Sequence, residues 1–465
     1  VNNIGGLTIP SISFVNGAGA FTISGSAVNL GSIANTSANS QTLSLGVIQS
    51  TSGTYNAASN ITLSGSLSGS GNIVKEGVGT LALNGSSKSN YTGTVTVNDG
   101  TLSIGTAGMS NAGIVLGANT TLATTGIGGN LSLKSLEISG TNVTLPGNNL
   151  AFIGGGLTNS TGAGLTVSNN VAFSGATTID AGVNGMMLTG AVAGSGTTTS
   201  IGSGVLELTN ASNGFSGQFN VNSGTTRLAS GVPADFAVAT GAALESTVGG
   251  VGSVSTITLQ DGSNLVPGGV GTIGSFTADT NVTLGSTSSV QFDIAGVGAS
   301  DPGFGGTDFD QVNFASGFSN GVLTYAGFLD LNFTSSTTFE EGVSFLLFNT
   351  NDVGTFTGDL AGINTTTTTG ASPYAGLTFA SFSSFSGDEQ AFLTTRFGAQ
   401  AGDWISSWNG AGEQRLIFSQ ANGTLTVVPE PSTIVFAGIG LAMFGWSTWT
   451  RRRASARRQV LEALA

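Results

Sequence analysis

The chain has 465 residues, 75 of them glycine and only 8% charged, and its mean hydropathy is +0.27. That combination excludes disorder throughout, which needs low hydrophobicity and high charge, and the 8 prolines follow no Gly-X-Y register, which excludes collagen. Cysteine and histidine are both absent, so disulfides, thiolate or imidazole metal sites and Ser-His-Asp or Cys-His catalysis are excluded as well.

Charge is unevenly placed. Five arginines and two glutamates follow Val428, a net +3, which leaves −16 on the rest. A body so poor in cations has no electrostatic footprint for nucleic acid, and no cofactor is expected. Residues 1–10 contain neither a basic nor an apolar signal-peptide region, so the chain is expected to be processed or truncated at its start.

Short strand–turn units come first in chain order: Ala20–Gly25, Asn60–Gly65, then a fuller unit from Gly69. Within that unit Thr80-Leu81-Ala82-Leu83 and Thr94-Val95-Thr96-Val97 alternate at period two, as strands with one buried face do. Glycine pairs and Asn98-Asp99-Gly100 supply tight turns between them. A degenerate copy runs from Gly194 to Gly224, in which Leu206 and Leu208 take the places of Leu81 and Leu83. Further strands are expected at 131–133 and 256–259. A coil of this kind cannot bury its apolar face alone, so coils must stack into a continuous core.

The unit at 69–104 resembles the autotransporter-associated β-strand repeat, through Gly69-Ser70-Gly71, Lys75-Glu76-Gly77-Val78-Gly79-Thr80-Leu81 and Tyr91-Thr92-Gly93. The second copy lacks the lysine and the Tyr-Thr pair. The resemblance implies an all-β protein, a right-handed parallel β-helix or β-solenoid over residues 1–264. Nothing after residue 330 shows the regular ten-residue strands of a translocator barrel.

Texture changes near residue 265, where strands become longer and richer in phenylalanine, as at Gly327-Phe328-Leu329-Asp330-Leu331-Asn332-Phe333. Residues 265–428 are expected to form a wider β section that closes the solenoid and covers its open edge. Asp301, Asp308 and Asp310 lie here in a glycine-rich loop. They are weak Ca²⁺ candidates, but their spacing fits no calcium motif, and a solvated strand entry explains them better. The adjacent Glu340 and Glu341 point to opposite faces of any strand and make a poor catalytic pair. Trp404 and Trp408 suit a buried contact better than a sugar platform. Threonine runs such as Thr365–Thr369 are compatible with an ice-binding ladder and equally with ordinary β-propensity.

The tail is the most specific feature. Pro429-Glu430-Pro431 leads into an uncharged apolar run, expected as a transmembrane helix over 433–449 that carries Ile434, Phe436, Leu441, Phe444, Trp446 and Trp449. Arg451, Arg452 and Arg453 follow at once and should stay cytoplasmic, with the tryptophans at the headgroup level. Together these parts, over residues 429–458, resemble the PEP-CTERM sorting signal of Gram-negative bacteria, and 459–465 is an extension beyond its usual ending. The resemblance implies an inner-membrane precursor, an exosortase-type membrane protease as partner, cleavage near Pro429-Glu430-Pro431, and delivery to the cell surface or extracellular matrix. Such proteins often accompany exopolysaccharide, and such tails also carry an ice-binding label that says little of the body.

The function expected from the sequence is a non-catalytic structural or adhesive surface protein. One alternative is a polysaccharide- or ice-binding solenoid, which requires a flat outward face of Thr, Asn or aromatic residues in register. A weaker one is a β-helix carbohydrate-active enzyme, which requires some of the scattered Lys75, Lys88, Lys134, Arg227, Arg396 and Arg415 to meet acids in a groove.

Overall fold

The computed structural model describes residues 1–105, 107–247, 251–296, 308–315, 321–336, 338–349, 353–367, 372–409 and 414–429. From Leu7 to Thr366 these form a parallel β-solenoid whose coils carry up to three short strands each, such as Ile61–Leu63, Leu67–Ser68 and Ile73–Glu76. Apart from Ser344–Leu346, the strands of this stretch pair in parallel with their counterparts in neighbouring coils. Leu81 opposes Ile61 on one side and Leu102 on the other, and Val97 opposes Lys75 and Leu116. A coil takes about 21 residues through most of the solenoid.

Period-two alternation sets which residues face inward. Leu81 and Leu83 are fully buried, with Thr80 and Ala82 turned outward between them. Inward residues stack coil on coil, as in Leu43–Leu63–Leu83–Ile104. Each buried aliphatic side chain in such a column is worth roughly 1.5–3 kcal/mol relative to exposure.

The corners explain the repeated glycines. Gly69 and Gly194, equivalent in the two sequence copies, have φ of 99° and 123°. A Cβ on either would lie 2.2 Å from the Gln49 carbonyl oxygen or 2.0 Å from that of Phe173, each one coil below. Only glycine fits, because the chain both adopts positive φ and lies directly on the preceding coil.

One of the three faces changes hands. A six-stranded sheet runs from Thr22–Ile23 to Thr121–Thr125 and continues only as a single bridge, Thr121 to Thr144. A nine-stranded sheet takes over from Leu165–Val167 to Gly362–Thr366. Pro146 lies in the intervening coil and has no N–H to give a ladder.

The parallel ladders cross residue 264 without a break, since Asn264 pairs with Ala243 before it and Ser289 after it. The closing section expected from 265 is therefore solenoid as far as Thr366. Beyond it lies a small antiparallel sheet of Ser344–Leu346, Thr424–Pro429, Gln414–Ser419, Asp403–Ser406 and Phe379–Ser381, in that spatial order. Phenylalanine joins this cap to the last coils: Phe339 stacks on Tyr374 at 4.9 Å and packs against Phe345 at 5.0 Å, and Phe348 contacts Phe418.

A helix over Gly387–Phe397, not foreseen from the sequence, packs on the cap. Ser386 caps it by accepting from the Glu389 N–H, and Gly398 ends it in the left-handed conformation. Its Leu393 forms a second small core with Ala399, Ile405, Ile417 and Val428. Among the described residues no helix is long and apolar enough to cross a membrane; the helix expected over 433–449 lies outside them.

Candidate functional site

The strand that leads into the tail lies inside the cap sheet, not at its edge. Thr424–Pro429 is paired on both sides, to Ser344–Leu346 and to Gln414–Ser419, and the second register ends with Gln414 opposite Pro429. Leu425 and Val427 are fully buried, and Val428 is 6% exposed. Pro429, the first residue of the expected cleavage motif, is thus the last paired residue among those described. Glu430 and Pro431 lie outside the described residues, as do Ile434, Phe436, Leu441, Phe444, Trp446, Trp449 and Arg451–Arg453.

The acidic loop has a different role from the one expected. Asp301 lies outside the described residues, and the Asp308 backbone carbonyl accepts from Ala295 and Gly296. Asp310 is fully buried rather than solvated: its carboxylate accepts from the Gly274 N–H at 2.7 Å and the Asp293 N–H at 2.8 Å. Asp293, also buried, accepts in turn from the Thr272 N–H at 2.9 Å and from the Asn332 amide. Burial pushes Asp310 up to about 9, against its two N–H bonds and with help from neighbouring Asp293. Burial raises Asp293 too, against bonds from Asn332 and Gln291. Both carboxylates fasten backbone N–H groups where the chain turns between faces. Among the described residues no three acidic side chains gather as a metal site would require.

The lysines do the converse. Lys75 occupies an inward column between Tyr55 and Val97 and is fully buried. Its ammonium donates to the carbonyls of Gly77 at 2.5 Å, Asp99 at 2.8 Å and Glu76 at 3.1 Å, so it ties two successive coils at one corner. Desolvation brings it down to about 8, partly offset by Asp99 and Glu76. Lys88, 1% exposed, donates to the Gly85 and Gly105 carbonyls, and burial lowers its pKa as well. Asn35 and Asn159 perform the same task neutrally, their amides donating to Asn39 and Asn60 carbonyls and to Ala163 and Gly185 carbonyls. The signal for Lys75 was available: it stands two residues after Ile73, in phase with the buried face of its strand.

Of the other body cations, Arg227 pairs with Glu245 at 2.7 Å. Arg415 pairs with Glu389 at 3.3 Å and covers one face of Trp408 at 4.1 Å. Lys134 and Arg396 are exposed. Trp404 is half-buried, and its indole N–H donates to Gln420 at 3.2 Å.

Two surfaces could receive a ligand. The outer side of the six-stranded sheet has no charged residue and carries threonines in register, Thr22–Thr42–Thr62 in one column and Thr80–Thr101–Thr121 in another. At the face change, an open groove of about 680 Å³ is lined by Asn142, Thr144, Asn149, Thr166, Ser168 and Asn170 among others.

Comparison with known families matches these landmarks. The passenger-associated-transport-repeat family matches residues 73–104 and 200–228, which follow the corner glycines Gly69 and Gly194 in the two sequence copies. The PEP-CTERM protein-sorting motif matches residues 427–453, beginning inside the last strand of the cap. No curated protein matches the chain. The fold and these matches define a parallel β-solenoid that carries transport repeats and a C-terminal sorting motif. That motif implies export, sorting to the cell surface and processing by an exosortase.

Proposed function

We propose that the protein is a non-catalytic structural or adhesive component of the cell surface or extracellular matrix, a stiff spacer whose right-handed solenoid serves attachment or matrix assembly. One observation supports this reading above others. The body cations that catalysis on a polysaccharide would require are in large part committed to holding the fold: Lys75 and Lys88 to backbone carbonyls, Arg227 and Arg415 to carboxylates. Residues 1–429 incubated with acidic and neutral polysaccharides should release no unsaturated or reducing ends. Appearance of either would favour the β-helix enzyme instead.

The threonine columns favour a second reading, a binding face for polysaccharide or ice. Strands about 4.8 Å apart carry hydroxyls at a fixed repeat on a charge-free plane, which suits a ligand with its own regular lattice. Retention on insoluble polysaccharide, or shaping of ice crystals, that is lost in Thr42→Lys/Thr101→Lys would support it.

A further inference from the structure

The sorting motif and the cap sheet share residues. The match begins at Val427, yet Val427 and Val428 are core side chains, and Thr426, Val427 and Val428 are hydrogen-bonded within a strand that has neighbours on both sides. The Val427 N–H donates to the Val343 carbonyl at 2.9 Å, and its carbonyl accepts from the Gly342 N–H at 2.8 Å. Residues 430–433 separate this strand from Ile434, and four residues span at most roughly 14 Å fully extended.

A protease that grips its substrate as an extended segment needs free backbone on both sides of the cleaved bond. Here the N-terminal side is an interior strand of a folded sheet, held between Ser344–Leu346 and Gln414–Ser419. We propose that the cap sheet gates exosortase processing: cleavage near Pro429-Glu430-Pro431 proceeds from the minor population in which the end of Thr424–Pro429 has peeled from Gln414–Ser419 and Ser344–Leu346. The proposal rests on the sorting reading and adds its regulation. Processing then follows the open population of this one strand.

The test uses the full chain in cells carrying an exosortase, with the precursor followed by pulse–chase. Insertion of six Gly/Ser residues between Val428 and Pro429 keeps Pro429-Glu430-Pro431 with all that follows it and the strand through Val428, but frees the junction, and should accelerate conversion roughly tenfold. Ser344 and Thr426 are directly opposed, with hydroxyls 3.0 Å apart on the exposed side. Cysteines at opposed antiparallel positions are within disulfide reach, and the chain has no other cysteine. Ser344→Cys/Thr426→Cys should convert several-fold more slowly when oxidised and normally when reduced. Adding the linker to the oxidised double variant should restore fast conversion. Equal rates for wild type, linker and oxidised forms would overturn the gate. A Pro429→Ala/Glu430→Ala/Pro431→Ala chain that is still processed would instead overturn the sorting reading on which it rests.

Discussion

The first transport-repeat coil and the coils next to the cap solve one problem with opposite chemistry. Where a solenoid turns between faces, its backbone leaves the ladder, and buried N–H and C=O groups need other partners. At the corner after Ile73–Glu76 the groups left over are carbonyls, and Lys75 collects three of them. Near Asp293 and Asp310 they are N–H groups, and the carboxylates collect those of Gly274, Asp293 and Thr272. At these two corners the buried ionisable side chain matches the end of the peptide unit that was left over, lysine for carbonyls and aspartate for N–H groups. The two regions should accordingly respond to pH in opposite directions.

The largest effect is expected at the acidic corner. Asp310→Ala leaves two buried N–H groups without acceptors and should cost about 2–5 kcal/mol, read as lost hydrogen-exchange protection in 289–294 and 311–314 with 61–83 unaffected. Independence of the two regions is what a stack with nearest-neighbour coupling predicts; loss of protection throughout would break the comparison.

Next comes the lysine corner. Lys75→Met should cost about 1–3 kcal/mol, because three carbonyls lose their donor while the column gains an apolar side chain. In the wild type Lys75 titrates near 8 when folded and near 10.5 when unfolded. Between those values the unfolded chain binds the extra proton, so local stability of this coil should rise with pH, by at most about 3 kcal/mol. Lys75→Met should flatten that rise. The raised Asp310 works the other way. Its contribution is fully present below the ordinary carboxylate range and is lost as pH climbs toward about 9, so protection at 289–294 should fall over that window. Parallel pH profiles in the two regions would contradict the assignment.

A corner glycine should matter less. Gly194→Ala strains a positive φ and meets the Phe173 carbonyl, at about 1–3 kcal/mol by chemical denaturation, and Gly69→Ala should match it because the geometry is the same. Thr101→Val on the outward column should change stability by less than about 0.5 kcal/mol.

Much of this was legible in the sequence. Period-two alternation placed Leu81, Leu83, Val95 and Val97 inside, and the offset glycines marked corners that prove geometrically equivalent. The cap helix was not legible, because it buries only Leu393 and shows little amphipathic contrast; its signals were the Ser386/Glu389 cap and Gly398. Nor was the end of the solenoid, because phenylalanine-rich strands continue the same ladders past 265 before the pairing turns antiparallel. Asp310 read as solvated because sequence shows the charge and not the two N–H groups that a distant turn presents to it. The tail motif was legible in full, but its overlap with the cap was not, since strand pairing between 344–346, 414–419 and 424–429 is a property of the fold.

The central claim is that the chain is an exported solenoid released through its Pro-Glu-Pro junction. The most direct measurement compares wild type with Pro429→Ala/Glu430→Ala/Pro431→Ala in cells, following intact mass and accessibility to external protease. Wild type trimmed near residue 430 and exposed outside, with the variant full-length in the inner membrane, is the predicted result. Both chains uncut and inaccessible from outside would contradict it.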